Sequence, residues 1–164
     1  METYIMKLKG LVAEDFSNYK EPSMFLITSF CDWKCCHDGN FDESVCQNNE
    51  LVKSEIKDVS NETVINHYLS NPITKAVVIG GLEPFLQYQE LFDFIKEFRE
   101  HSKDSIVIYT GYYEDEIFDK VNNLRQFENI IIKFGRYVPN QKSHFDNILG
   151  VDLVSDNQYA KIIS

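Results

Sequence analysis

The sequence predicts an α/β fold, a partial, open β/α barrel on a mostly parallel sheet. Three observations predict it. From Ser23 onward, short apolar runs rich in β-branched residues alternate with amphipathic helical patterns, the order expected of parallel strands joined by right-handed crossovers. These runs are apolar throughout rather than alternating, which suits strands covered on both faces. The chain has 164 residues, whereas a closed eight-fold barrel needs roughly 200 or more. One domain, residues 1–164, is expected.

Taken in order, residues 4–12 read as a strand carrying Ile5, Met6 and Leu8, followed by a polar connection from Asp15 to Pro22. Ser23-Met24-Phe25-Leu26-Ile27-Thr28 reads as a buried strand, and a cysteine-rich loop starts directly after it. Gly39, Asn40, Asp42, Asn48 and Asn49 keep that loop irregular. Ser60 is placed to cap a helix running to about Leu69, with Glu62 in its first turn and Asn71-Pro72 beyond its end. Residues 75–79 form a second buried strand. Leu91, Phe94, Ile95 and Phe98 fall at i, i+3, i+4 and i+7, the stripe of a core-facing helix. Residues 105–110 give a third strand, broken by Gly111. Ile117, Val121 and Leu124 mark another helix, and Ile130-Ile131-Ile132 a fourth strand ended by Gly135. Residues 149–154 suggest a fifth, short strand.

The formal net charge is −10, and no Lys/Arg cluster offers a basic face, so a nucleic-acid ligand is not expected. No apolar run approaches the ~18 residues of a membrane span, so no membrane partner is expected either. The first residues lack a basic segment followed by an apolar one, which predicts no secretory signal and a cytoplasmic protein.

All four cysteines lie within Cys31-Asp32-Trp33-Lys34-Cys35-Cys36 and Val45-Cys46. Bridges among them would staple one short loop, so soft-metal binding is the better expectation. A structural zinc site would use all four thiolates as two closely spaced pairs. Cys35 and Cys36 are adjacent and Cys46 stands alone, which makes that arrangement the weaker one. Three thiolates fit a cubic [4Fe–4S] cluster with one iron lacking a protein ligand. Cys31, Cys46 and one of Cys35 and Cys36 would supply them. Cys35 is preferred, with Cys36 as the alternative and a buried small hydrophobe as its other reading. Trp33 could cover the cluster, and His37 is either a ligand or a surface residue.

The residues beyond the cysteines resemble a known family. Gly80-Gly81-Leu82-Glu83-Pro84 is similar to the Gly-Gly-Glu-Pro turn of the radical S-adenosylmethionine (SAM) superfamily, with one inserted leucine. Ile108-Tyr109-Thr110-Gly111-Tyr112, before acidic Glu114-Asp115-Glu116, resembles a segment of the activating proteins of anaerobic ribonucleotide reductase. Phe134-Gly135-Arg136-Tyr137-Val138 sits where those proteins carry an Asp-Gly-x-Phe-Ile turn, and Ser155-Asp156-Asn157-Gln158 resembles their terminal Ser-x-Asn-Gln. The matches come in family order from Met24 to Ile163. The chain departs from the pattern in its spacing, Cys31-x3-Cys35-x10-Cys46. Asp38 stands where the third cysteine of Cys-x3-Cys-x2-Cys would fall.

The resemblance implies a barrel of the radical SAM type, with Cys31, Cys35 and Cys46 as the catalytic cluster ligands and S-adenosyl-L-methionine as the second cofactor. Gly80 and Gly81 would let the backbone approach its methionine moiety, Glu83 would assist or fix the turn, and Thr110 and Tyr112 would contact ribose or adenine. Reductive cleavage would give a 5′-deoxyadenosyl radical. The implied partners are a glycyl radical enzyme, the anaerobic ribonucleotide reductase, and a flavodoxin- or ferredoxin-type reductant. The alternatives are a radical SAM enzyme for another peptide or small molecule, and a non-enzymatic zinc or iron–sulfur module.

Overall fold

The structure is a computed structural model that describes residues 3–33, 37–38, 51 and 53–164. Its strands are β1 (Ile5–Asp15), β2 (Ser23–Thr28), β3 (Lys57–Ser60), β4 (Ala76–Gly81), β5 (Ser105–Tyr109), β6 (Ile130–Phe134), β7 (His144–Asp146), β8 (Val151–Leu153) and β9 (Tyr159–Ile162). Its α-helices are α1 (Asn61–Leu69), α2 (Tyr88–Arg99) and α3 (Phe118–Leu124). Short 3-10 turns at Pro84–Gln87 and Glu114–Ile117 lead into α2 and α3.

The expected partial, open barrel with a mostly parallel sheet is not what the chain forms. Among the described residues, seven strands make one mixed sheet in the order β3-β1-β2-β4-β5-β6-β9, and it does not close. The pairs β2–β4, β4–β5 and β5–β6 are parallel. The pairs β1–β2, β1–β3 and β6–β9 are antiparallel. The reason lies in the connections. A short polar link turns β1 straight back onto β2, and β9 folds back against β6, so antiparallel strands flank the parallel centre on both sides. The strand-helix alternation describes only the segment from β2 to β6. Residues 149–154 do yield β8, but it pairs with β7 in a separate two-stranded sheet. β3, β7 and β9 were not expected.

The helices form where local chemistry places them. The Ser60 side chain accepts from the Thr63 N–H at 3.2 Å, capping α1. Leu91, Phe94, Ile95 and Phe98 are all buried on α2, each worth roughly 1.5–3 kcal/mol relative to exposure. Helices α1, α2 and α3 share one core with Met24, Leu26, Val77, Ile79, Ile106, Ile108, Ile130 and Ile132. The alternate residues Ala76, Val78, Val107 and Ile131 face the other way and pack under Tyr19, Leu149 and Leu153. The central strands are therefore covered on both faces, by helices on one and by the β7–β8 hairpin with the Tyr19 segment on the other. Among the described residues no helix is long and apolar enough to cross a membrane.

Candidate functional site

The register Ile27↔Gly80 and Thr28↔Gly81 brings the carboxyl ends of β2 and β4 level, and β5 and β6 follow in parallel. Their outgoing loops enclose a cavity of about 350 Å³, within the range of small-molecule sites. Cys31, Gly81, Glu83, Thr110 and Tyr112 all line it. Residues up to 81 positions apart in sequence thus share one cleft. Gly80 lies just behind the wall, where an added Cβ would sit 3.0 Å from Tyr109 Cβ. Its carbonyl accepts from Thr28 Oγ1 at 2.8 Å. Cys35, Cys36 and Cys46 fall outside the described residues. Among the described residues no group of three or more His, Cys, Asp or Glu side chains forms a metal site.

Cys31 is half-buried at the cavity rim, and the Trp33 N–H donates to its Sγ at 3.3 Å. Trp33 has φ of 60°, a left-handed conformation uncommon outside glycine, and this turns its amide back toward the sulfur. An amide donor on a cysteine sulfur stabilises thiolate charge and is one of the protein's means of setting a cluster's potential. The donor chemistry at Cys31 thus fits an iron–sulfur ligand. Trp33 itself lines the cavity, and the side chain of His37 is exposed.

The Glu83 carboxylate is nearly fully buried. It accepts from the Phe85 N–H at 3.0 Å, the Gly111 N–H at 2.8 Å, and the Thr110 hydroxyl at 2.8 and 2.9 Å. Burial pushes its pKa up, opposed by those hydrogen bonds and by the charge of Lys133. These contacts fix the turn after β4 against the end of β5. Thr110 Oγ1 also accepts from the Tyr112 N–H at 3.1 Å. Gly81 has φ of +91°, and a Cβ there would lie 2.6 Å from Ile27 Cγ2. Its glycine is demanded by backbone conformation and by packing on β2.

Two contacts tie the cysteine loop to neighbouring strand ends. The Tyr112 hydroxyl donates to Asp32, and burial followed by that carboxylate pushes the Tyr112 pKa up. Asp38 Oδ2 pairs with Arg136 Nε at 2.7 Å, a charge contact without the alignment of a hydrogen bond. Arg136 also pairs with Glu116 and stacks its guanidinium 4.8 Å from the Tyr113 ring. Burial pulls the Arg136 pKa down, and the bond and charge of Glu116, aided by Asp38, more than reverse this. The position where a third cysteine was looked for therefore serves an ion pair. The terminal Ser-x-Asn-Gln segment has a comparable structural use. Asn157 Nδ2 donates to Arg136 O at 2.9 Å, and Gln158 Nε2 to Gly135 O at 3.3 Å. Gly135, with φ of +109°, is required by that close approach.

Sequence reasoning missed Lys133 as a cavity residue. It is 6% exposed, lines the cleft, and donates from Nζ to Gly135 O at 3.1 Å. A single charge following three isoleucines was the available signal.

Neither a curated protein nor a solved structure matches the chain. A family model described as a 4Fe-4S single cluster domain matches residues 23–158, from the first residue of β2 to just before β9. With a cysteine lining a cleft and the family model spanning most of its 164 residues, the chain belongs to the 4Fe-4S single cluster domain family.

Proposed function

We propose that this iron–sulfur protein is a radical SAM enzyme. The observation that carries the reading is the convergence of Cys31 with Gly81, Glu83, Thr110 and Tyr112 on one cavity. Cys31 would hold the cluster together with Cys46 and one of the Cys35/Cys36 pair. S-adenosyl-L-methionine, bound beside it, would supply a 5′-deoxyadenosyl radical when the reduced cluster delivers an electron. Glu83 keeps the β4 and β5 loops in one rigid frame through its bonds to Phe85, Thr110 and Gly111. Thr110 and Tyr112 offer polar atoms at the edge of that frame for ribose or adenine. Trp33 and the apolar wall exclude water from the cleft.

The order of motifs from Met24 to Ile163 supports a glycyl radical enzyme, an anaerobic ribonucleotide reductase, as the target, with a flavodoxin- or ferredoxin-type donor. One observation favours a second reading, a small organic substrate. Val151 and Leu153 of the β7–β8 hairpin, with Asn18, also line the cavity.

Anaerobic reconstitution with iron and sulfide, followed by a 5′-deoxyadenosine assay under dithionite, tests the activity. Turnover that is lost in Cys31→Ala supports the reading. A protein holding zinc without iron or sulfide, or a loaded cluster that leaves the cofactor intact, overturns it. A glycyl-radical EPR doublet on co-incubated reductase separates the two targets.

A further inference from the structure

We propose that a second cavity, at the opposite end of the sheet from Cys31, binds a small carboxylic acid with an apolar body, its carboxylate held by the Tyr19 hydroxyl and the Lys20 ammonium. This cavity, of about 330 Å³, opens where β5 and β6 begin and is of a size that takes small ligands. It shares no lining residue with the cleft around Cys31. The inference does not rest on the function proposed above.

Tyr19 carries the argument. It is 5% exposed, belongs to the core layer with Val78, Val107 and Leu149, and lines the cavity. A buried tyrosine hydroxyl usually finds a partner, but among the described residues this one has none. It is not sealed in the core, and the open space that Tyr19 borders is this cavity. Lys20 places Nζ 5.9 Å from the centre of the Tyr19 ring and pairs with no carboxylate among the described residues. Asp146, at the base of the turn that carries Ile148, is occupied by the Ile148, Leu149 and Ala160 N–H groups.

The backbone holds this pair in place. The Lys20 N–H donates to Leu149 O at 2.7 Å. Gly150 has φ of +74°, and a Cβ there would lie 2.6 Å from Lys20 Cβ, so the hairpin turn closes on this segment only as glycine. The other walls define the rest of the ligand. Ile131, Ile148 and Ile162 all line the cavity, and Ile162 on the edge strand β9 is 60% exposed. An apolar ligand body would take that surface out of water. One hydroxyl and one ammonium suit a single negative charge. A phosphate dianion would be only partly answered in a chain of net charge −10.

Equilibrium dialysis on the anaerobically reconstituted protein tests the site with two matched pairs, 3-methylbutanoate against 3-methylbutanamide and benzoate against benzamide. The native protein should prefer the acid of at least one pair by about tenfold. Lys20→Met should erase that preference and leave amide binding unchanged. Tyr19→Phe should weaken the acid by about five- to tenfold without lowering Tm, because the hydroxyl it removes bonds nothing in the protein. Equal affinity for acid and amide, no binding of either acid at about 10 mM, or a preference that survives in Lys20→Met overturns the proposal. So does a fall in Tm of more than about 2 °C in Tyr19→Phe, which would show the hydroxyl in use within the fold. The acid should also bind without displacing S-adenosylmethionine. Competition between the two would place the acid in the Cys31 cleft and sink the second site.

Discussion

Replacing Glu83 with alanine should cost more than any surface change, and the size follows from the partners it strands. Glu83→Ala removes the acceptor of two backbone donors, the Phe85 N–H at 3.0 Å and the Gly111 N–H at 2.8 Å. A buried donor without a partner costs ~1–3 kcal/mol, so the pair costs ~2–6 kcal/mol. The Thr110 hydroxyl can rotate to another acceptor, and removing a buried carboxylate returns part of the loss. The net destabilisation should be about 2–4 kcal/mol, or roughly 4–16 °C in Tm for a chain of this size. Chemical denaturation of both proteins, checked for an unchanged slope, measures it. The pH dependence supplies a second, signed readout. Burial raises the folded pKa of Glu83, so the native state binds its proton more tightly than the unfolded chain. That contribution is complete below the unfolded value of about 4.3 and is lost as pH rises through the folded value. The penalty of Glu83→Ala should therefore shrink as pH is raised. A loss under about 0.5 kcal/mol, or a penalty that grows with pH, would refute the claim that this carboxylate pins the strand ends.

Two other perturbations read different parts of the cleft. Gly81→Ala should lose ~2–4 kcal/mol, from its φ of +91° and a Cβ 2.6 Å from Ile27 Cγ2; thermal unfolding reads this, and an unchanged Tm would refute the packing requirement. Tyr112→Phe removes the bond to Asp32, worth ~1 kcal/mol at this partly exposed site. The loop should then release cluster iron to a chelator faster than in the native protein, and an unchanged rate would show that the tie does not hold the loop.

What the sequence reveals here depends on how far the information is local. The capped helix after Ser60 and the apolar stripe of α2 are written within a few residues, and the structure places α1 and α2 there. The run from Ser23 to Thr28 matches β2 residue for residue. The overall architecture is not local. Whether β1 lies parallel or antiparallel to β2, and whether β9 returns to β6, depends on pairings that leave little mark in composition. Lys57–Ser60 and Tyr159–Ile162 are short, largely exposed edge strands without an apolar run. They could not be seen from patterning, and with them went the correct account of the sheet. At the site, residue types were legible and their use was not. Glycines at 80 and 81 stand out in any reading, yet the φ of Gly81 and its approach to Ile27 are visible only in the structure.

The motifs are far apart in sequence and close in space for one structural reason. Each crossover helix returns the chain so that β2, β4, β5 and β6 end at the same level. Cys31 follows Thr28, Glu83 follows Gly81, Thr110 follows Tyr109 and Gly135 follows Phe134. Once there, much of the motif chemistry is spent on the frame. Glu83 binds Phe85, Thr110 and Gly111; Asn157 and Gln158 bind the carbonyls of Arg136 and Gly135; Arg136 pairs with Asp38 and Glu116. If Cys31 holds the cluster as proposed, a rigid polar frame would fix the donors around its sulfur. The same frame sets the Lys133 ammonium and the Tyr109 ring into one wall of the cleft. Asn157 and Gln158 act through that frame: their side-chain amides donate to the Arg136 and Gly135 carbonyls, so replacing either should lower stability first.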